Sequence, residues 1–380
     1  MNKQIPFNKP YLTGKETSYI EDAVRSGKIS GNGKYTAQCQ NFFQGKYHFN
    51  KCLLTTSCTD ALEMAAILIN IQPGDEVIVP SFTFVSTANP FILRGAKIVF
   101  ADSRPDHPGI NEDKLEELIT IRTKAIVPVH YAGVACDMNK ILRVARKYNL
   151  FVIEDAAQSI DSFYNDKPLG TFGDLAAFSF HETKNVIAGE GGMLVINDKS
   201  LIDRAEIIWE KGTNRSAFFK GEVDKYNWVD IGSSFLPSEI IAAFLWAQLE
   251  NLDNIQAKRK QIWSEYYSLL SDSFLKQKIC LPILPEFASN NAHMFYMLCE
   301  SESERFALIA HLKARGIHAV FHYQSLHRSP YYSSKHDNRI LEFTDNYSNT
   351  LVRLPFFNDL SKDEIHWIVK GIRDYYQSLV

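Results

Sequence analysis

The sequence predicts an α/β fold: a seven-stranded, mostly parallel sheet with helices on both faces, followed by a smaller α+β unit. Three observations predict it. Short apolar runs rich in Val, Ile, Leu and Phe recur seven times between residues 52 and 197. Helical patterns separate these runs, and strands that alternate with helices build a parallel sheet covered on both sides. At 380 residues the chain also exceeds what one hydrophobic core usually supports, so a smaller companion unit is expected.

Along the chain, Thr13-x-x-Glu16 reads as a capping box that opens a helix, and Gly27 stops it. A Gly-rich segment follows, from Ser26 to Gly33. The strand runs are CLLT (52–55), EVIVP (76–80), KIVFAD (97–102), AIVPVH (125–130), LFVIED (150–155), AAFSFH (176–181) and GMLVIN (192–197). From Pro237 a long Gly-free stretch to about Leu270 reads as helix leading out of the large unit. Beyond it the pattern gives a strand at AHMFYML (292–298) and an amphipathic helix from Arg305 to Arg315, stopped by Gly316. A strand at HAVFHY (318–323) and a terminal helix after Ser361 complete the chain. The expected division is 1–245 for the N-terminal segment and large domain, and 246–380 for the small domain.

Composition excludes several classes. With 41 basic against 44 acidic residues the net charge is -3, so no global field draws the chain to nucleic acid or to a membrane surface. Any anion site must be local. The cysteines Cys39, Cys52, Cys58, Cys136, Cys280 and Cys299 form no C-x-x-C pair, which argues against a zinc ribbon, a redox motif or a disulfide framework. No metal is expected, and a reducing cytoplasm fits this cysteine usage. The polar N-terminus lacks a signal-peptide core, and no run approaches the roughly 18 apolar residues of a membrane span.

In an open α/β sheet, ligands bind beyond the carboxyl ends of the strands, so polar residues that end apolar strands mark the place to look. FVIEDAAQ (151–158) ends in Glu154 and Asp155, which could hold a metal, cap a helix or salt-bridge a cationic ring nitrogen. FSFHETKN (178–185) places Lys184 just past a strand and before the glycines Gly189, Gly191 and Gly192. A surface charge is the common role for a lysine; a partly desolvated one could instead serve as a reactive amine. LTTSCTDAL (54–62) runs from strand into a Ser/Thr cluster and a helical pattern, which makes either an ordinary cap or a phosphate cradle. Neither G-x-x-x-x-G-K-[ST] nor G-x-G-x-x-G occurs, which weakens nucleoside-triphosphatase and dinucleotide readings. A cofactor carrying a phosphate, a pyridinium nitrogen and an aldehyde would need all three segments together.

In order and wording these segments resemble the DegT/DnrJ/EryC1/StrS sugar aminotransferases, a family of fold-type I pyridoxal-phosphate (PLP) enzymes, across essentially the whole chain. The phrases PSFTFVSTAN, VPVHYAGVACDM, SFHETKN, EKGTNR, NAHMFY and AVFHYQSLH are most similar to the bacterial transaminases acting on dTDP-4-dehydro-6-deoxyglucose. The resemblance implies that Lys184 carries the cofactor as a Schiff base and moves the proton between cofactor and substrate. It implies that Asp155 pairs with the pyridine nitrogen, that Gln158 meets the ring hydroxyl and that Phe84 stacks on the ring. Ser57, Cys58, Thr59 and Ser179 would hold the phosphate, joined by Asn227 in DKYNW from a neighbouring subunit, so a homodimer with shared active sites is expected. Substrate candidates are Arg215, His181, His322, Tyr323 and His327.

The implied reaction is transamination at C4 of dTDP-4-dehydro-6-deoxy-D-glucose with L-glutamate, feeding O-antigen or enterobacterial common antigen. The turn NVIAGEGG is one residue shorter than expected in the common-antigen enzyme, so both C4 epimers of the product stay open. Alternatives are a C3 transaminase of a dTDP-3-keto-6-deoxyhexose and a non-catalytic regulator on the same fold. A pyridoxamine-dependent dehydratase would lack the lysine.

Overall fold

The computed structural model describes residues 4–379. Its central sheet contains β1 (Lys51–Thr55), β2 (Glu76–Pro80), β3 (Lys97–Ala101), β4 (Thr123–Ile126), β5 (Phe151–Asp155), β6 (Leu175–Ser179) and β7 (Gly192–Ile196). Their order across the sheet is β1-β7-β6-β5-β4-β2-β3. All pairings are parallel except those of β7, which runs antiparallel to both β1 and β6. The link between β6 and β7, residues 180–191, carries no helix to cross a sheet face, and the chain returns antiparallel beside β6.

Alternation along the strands divides the apolar side chains between two cores. Leu53, Ile153, Leu175 and Leu194 pack on one face with the helix Cys58–Leu68. On the opposite face Cys52, Leu54, Ala176, Phe178 and Met193 pack with the helices Lys34–Tyr47 and Glu239–Leu249. The continuous apolar runs of the sequence are therefore strands buried on both sides.

The first helix spans Glu16–Arg25, opening two residues later than the capping box predicts. Glu16 does reach back, accepting from the Thr13 N–H at 2.7 Å and the Gly14 N–H at 2.9 Å, but Thr13 precedes the helix and does not cap it. Gly27 follows at φ +74°, the left-handed conformation that ends it.

The stretch after Pro237 forms two helices, Glu239–Leu249 and Leu252–Leu270. The second carries Leu252 and Ile255 into the large-domain core, and Ile262, Tyr266 and Leu270 into a separate C-terminal core. The cores thus part inside this helix, not at residue 245. Ile5 from the N-terminal segment also packs in the C-terminal core.

The C-terminal unit pairs β8 (Tyr296–Leu298) with β9 (Leu351–Arg353), antiparallel. HAVFHY forms no strand: Val320 makes a single bridge to Arg353, after which the chain leaves the sheet. β9 is only three residues long, too short for its alternation to register. The helices Glu302–Ala314 and Lys362–Gln377 pack over this core, the latter with a complete capping box of Ser361 and Glu364. No helix among the described residues is long and apolar enough to cross a membrane.

Candidate active site

Parallel strands β1, β5 and β6 deliver their carboxyl ends to the same edge, where residues of the C-terminal unit face them across a cleft of about 550 Å³. The cleft starts with the turn after β1. Ser57 is extended, and its Oγ accepts from the Asp60 N–H at 3.0 Å, capping the helix Cys58–Leu68. The amides of Cys58 and Thr59 sit in the first turn and have no intrahelical partner. Thr59 Oγ1 donates to Ser86 Oγ at 2.8 Å, and Ser179 at the end of β6 lines the same edge. Backbone amides at a helix start with several hydroxyls make an anion cradle. Gly192 at the start of β7 is necessary to it: a Cβ there would lie 2.3 Å from the Ser57 carbonyl carbon and 2.4 Å from the Cys58 nitrogen.

Glu154 and Asp155 are neighbours with opposite fates, because successive side chains of a strand point to opposite faces. Glu154 is fully buried, accepting from the amides of Phe172, Gly173 and Gly170 at 2.7 to 2.8 Å and pairing with His130 Nε2 at 3.0 Å. Those bonds hold its carboxyl below the usual range even though burial opposes them. Asp155 faces the cleft with two partners, the Thr87 hydroxyl at 2.7 Å and the Ala157 N–H at 3.2 Å. Burial pushes its carboxyl up. Among the described residues no cation lies within ion-pair distance of it.

Lys184 is presented by a tight turn between β6 and β7, in which the Lys184 N–H donates to the His181 carbonyl at 2.9 Å. Its amine enters the cleft with no hydrogen bond or ion pair among the described residues. Burial pulls its pKa down, and the Arg353 charge adds to that. Asp155 is the opposing charge, since the nearby Cys58 thiol is itself pushed well above its ordinary value and stays neutral. A desolvated amine with a lowered pKa is a usable nucleophile and base.

The facing wall holds Phe84, Gln158, His293, His322, Tyr323 and Arg353. The Phe84 ring is 56 % exposed, a large aromatic offered to the cleft. Gln158 is fixed at both ends, accepting from the Ala132 N–H at 2.6 Å and donating to Tyr323 Oη at 3.0 Å. His322 Nδ1 pairs with Tyr131 Oη at 2.7 Å and stacks on Tyr323. His293 Nδ1 lies 2.8 Å from Asn185 Oδ1, and because the Asn185 amide nitrogen donates elsewhere, His293 is the donor. Burial holds both histidines neutral, so His293 keeps a lone pair on Nε2.

The structure therefore gathers Ser57, Cys58, Thr59, Phe84, Asp155, Gln158, Ser179, His181, Lys184, His322 and Tyr323 around one cavity. It does not bring in three expected residues. His327 is buried elsewhere, its Nδ1 bonded to Ser81 Oγ at 2.8 Å and its Nε2 3.6 Å from Asp345, so its partners are structural. Arg215 and Asn227 are exposed on a segment outside the cleft, where Asn214 accepts from the Asn227 N–H at 2.7 Å. Sequence reasoning missed Thr87, His293 and Arg353. Thr87 and His293 stand inside the quoted phrases PSFTFVSTAN and NAHMFY, whereas Arg353 lies in a three-residue strand without a motif.

The pattern suits pyridoxal phosphate. A buried carboxylate without a cation matches a ring nitrogen, an amine without an anion matches an aldehyde, and the cradle matches a phosphate. Comparison with known proteins points the same way. The DegT/DnrJ/EryC1/StrS aminotransferase family matches residues 10–373. GDP-perosamine synthase of Escherichia coli O157:H7 is 33% identical over 98% of this chain and 99% of its own. The spore coat polysaccharide biosynthesis protein SpsC of Bacillus subtilis is 32% identical over 98% of this chain and 97% of its own. Among solved structures, the PMP form of Spr1654 from Streptococcus pneumoniae superposes with a TM-score of 0.91 at 25% identity, over 99% of this chain and all of that one. The chain belongs to the DegT/DnrJ/EryC1/StrS aminotransferase family and is a pyridoxal-phosphate-dependent sugar aminotransferase.

Proposed function

We propose that this chain transfers the amino group of L-glutamate to C4 of dTDP-4-dehydro-6-deoxy-D-glucose, giving a dTDP-4-amino-4,6-dideoxyhexose for a surface polysaccharide. The observation that carries the chemistry is the convergence of Lys184 and Asp155 in one cleft, Asp155 buried, Lys184 half-buried, and neither in an ion pair among the described residues. Bound there, pyridoxal phosphate supplies an electron sink that lets a proton leave the carbon bearing the amine. Lys184 Nζ binds the cofactor and then takes and returns that proton. Asp155 would keep the ring nitrogen protonated, with Thr87 and the Ala157 amide offsetting part of the burial that raises its pKa, and Phe84 would offer its ring to the cofactor. The amides of Cys58 and Thr59, with the Ser57, Thr59 and Ser179 hydroxyls, hold the phosphate.

The active unit is a homodimer in this reading. Asn227 sits among the exposed apolar side chains of Phe219, Tyr226, Trp228, Val229 and Ile231, with Trp228 83 % exposed. A cluster of that kind is a contact surface, and a partner covering it would bring Asn227 and Arg215 toward the partner's cleft.

The resemblance of SFHETKN, EKGTNR and AVFHYQSLH supports the dTDP sugar; the 33% identical GDP-perosamine synthase supports a GDP-linked keto sugar as the second reading. Incubation with L-glutamate and either dTDP-4-dehydro-6-deoxyglucose or a GDP-4-dehydro-6-deoxyhexose, followed by NMR of the product, separates them. It also fixes the C4 epimer. Amination of a 3-keto isomer alone would refute the C4 assignment and leave the aminotransferase standing.

A further inference from the structure

Arg353, at the end of β9, lines the cleft from the C-terminal unit. Arg353 is a half-buried cation. The Nε–H is buried without an acceptor, and no hydrogen bond or ion pair engages the guanidinium among the described residues. One face lies on the Phe7 ring at 4.5 Å from the centroid, which fixes the guanidinium plane and leaves its edge donors free. The groups facing it include the hydroxyls of Tyr131 and Tyr323, whose pKa values burial pushes up, and the imidazoles of His293 and His322, whose pKa values burial pushes down, so none of the four carries a charge to meet it. A guanidinium cannot shed its proton to escape this, so the missing partner is an anion brought by a ligand.

We propose that Arg353 binds the α-carboxylate of the amino donor, an α-amino acid, and so selects for it over other amines. The proposal rests on the assignment of Lys184 and Asp155 to the cofactor made above. Three anions could meet Arg353: the cofactor phosphate, the diphosphate of a nucleotide sugar, and the donor carboxylate. The phosphate is the wrong one, because its cradle lies at the start of the helix Cys58–Leu68, beyond the ends of β1 and β6, whereas Arg353 stands on the facing wall contributed by the C-terminal unit. The diphosphate is attached at C1, across the sugar ring from C4, and is remote from Lys184 when C4 is at the reacting position. The α-carboxylate is one bond from the reacting carbon, and Arg353 lines the same cleft as Lys184, where its charge lowers the lysine pKa. A planar fork beside the reacting amine is the geometry for bidentate carboxylate recognition. The same edge can meet the sugar hydroxyls when the sugar replaces the amino acid.

The test uses the full-length enzyme loaded with pyridoxal phosphate and follows the change in cofactor absorbance on mixing with L-glutamate, without sugar. Arg353→Gln should weaken glutamate binding about 100-fold, and Arg353→Lys, which keeps the charge without the fork, should fall between. Wild type should discriminate strongly against the α-amide of glutamate, and Arg353→Gln should lose that preference. Calorimetry with glutarate, which cannot react, should show binding to wild type and none to Arg353→Gln. Cofactor retention should stay unchanged in both variants. Unaltered glutamate binding in Arg353→Gln would overturn the proposal, as would cofactor loss, or a rise confined to the KM for the nucleotide sugar. Borohydride labelling of the Lys184 peptide is run in parallel. A labelled Lys184 with unmoved glutamate affinity sinks the Arg353 inference alone, and an unlabelled Lys184 sinks both.

Discussion

Adjacent carboxylates on β5 should give crossed results when each is made an amide. Glu154 accepts backbone amides on both oxygens, Phe172 and Gly173 on Oε1 and Gly170 on Oε2, with His130 also on Oε2. In Glu154→Gln one oxygen becomes an NH2 that opposes the Gly170 N–H. At about 1.5–3 kcal/mol for a hydrogen bond to a charged group, the change costs ~3 kcal/mol of folding free energy. Asp155→Asn removes a charge that has no ion pair in the chain itself. Its folded pKa lies above the unfolded value, so folding favours its protonated form, and the stability it lends at low pH is lost as pH rises through the folded value. Near neutrality the cofactor-free Asp155→Asn protein should therefore be no less stable than wild type. Its turnover should fall by more than about 100-fold, since breaking a buried pair between carboxylate and ring nitrogen is worth about 3 kcal/mol or more.

Urea midpoints of the cofactor-free proteins and rates of the glutamate half-reaction measure both axes. The expected outcome is a stability defect with most activity kept in Glu154→Gln, and an activity defect without a stability defect in Asp155→Asn. Equal mild effects on both axes would refute the division of labour between the two residues.

Gly192→Ala should leave the sheet folded but raise the cofactor dissociation constant more than about tenfold, because the new Cβ displaces the Ser57–Cys58 backbone; equilibrium dialysis of pyridoxal phosphate checks it. The rate of cofactor capture by the cofactor-free enzyme should rise with pH through a midpoint below that of an ordinary lysine, since burial lowers the Lys184 pKa and the neutral amine is the reactive form. Arg353→Gln removes a charge that lowers this pKa, so its midpoint should move upward. Mixing inactive Lys184→Ala with an Asn227→Ala variant of weak cofactor retention, under verified subunit exchange, should restore activity in hybrids; no recovery would speak against a shared site.

The sheet was legible because its strands are buried on both faces. EVIVP and LFVIED announce themselves as unbroken apolar runs, and each strand predicted in the large domain is present within a few residues. The C-terminal unit was less legible because its strands are three residues long and one face of each apolar segment is shared with helices. There the pattern HAVFHY alternates like a strand, yet Val320 alone pairs, and His322 and Tyr323 turn into the cleft. For the site, the strand-end residues stood out because ligands of an open α/β sheet bind beyond the carboxyl ends of its strands, although Glu154 at one such end serves the structure alone. Arg353 carries no such signal: in sequence it is one basic residue between Val352 and Leu354. Its lack of a partner is a property of the folded cleft. His327 failed for the converse reason, since a histidine next to a functional phrase can be held by Ser81 and Asp345 alone.

The charged groups of this chain fall into two sets that call for different partners. Lys184, Asp155 and Arg353 line a single cleft without ion pairs among the described residues, and desolvation there shifts each against its charged form. Cofactor and amino donor together carry one complement for each: an aldehyde, a ring cation and a carboxylate. In the proposed reading the three charged groups of that half-reaction therefore come from one chain, while the phosphate also draws on the partner's Asn227. Arg215 belongs to the other set. It begins a short helix, Arg215–Phe219, and its guanidinium lies over the exposed Phe219 ring at 5.2 Å, outside the cleft that holds the lysine. If a partner subunit carries this segment to the cleft, nucleotide recognition resides in a surface element that can change without disturbing those three charged groups. Replacing Arg215 with Ala should then raise the KM for the nucleotide sugar and leave the glutamate half-reaction unchanged, the opposite of the pattern for Arg353. Equal effects of Arg215→Ala on both substrates would place it in the amine chemistry and remove the distinction between the two sets.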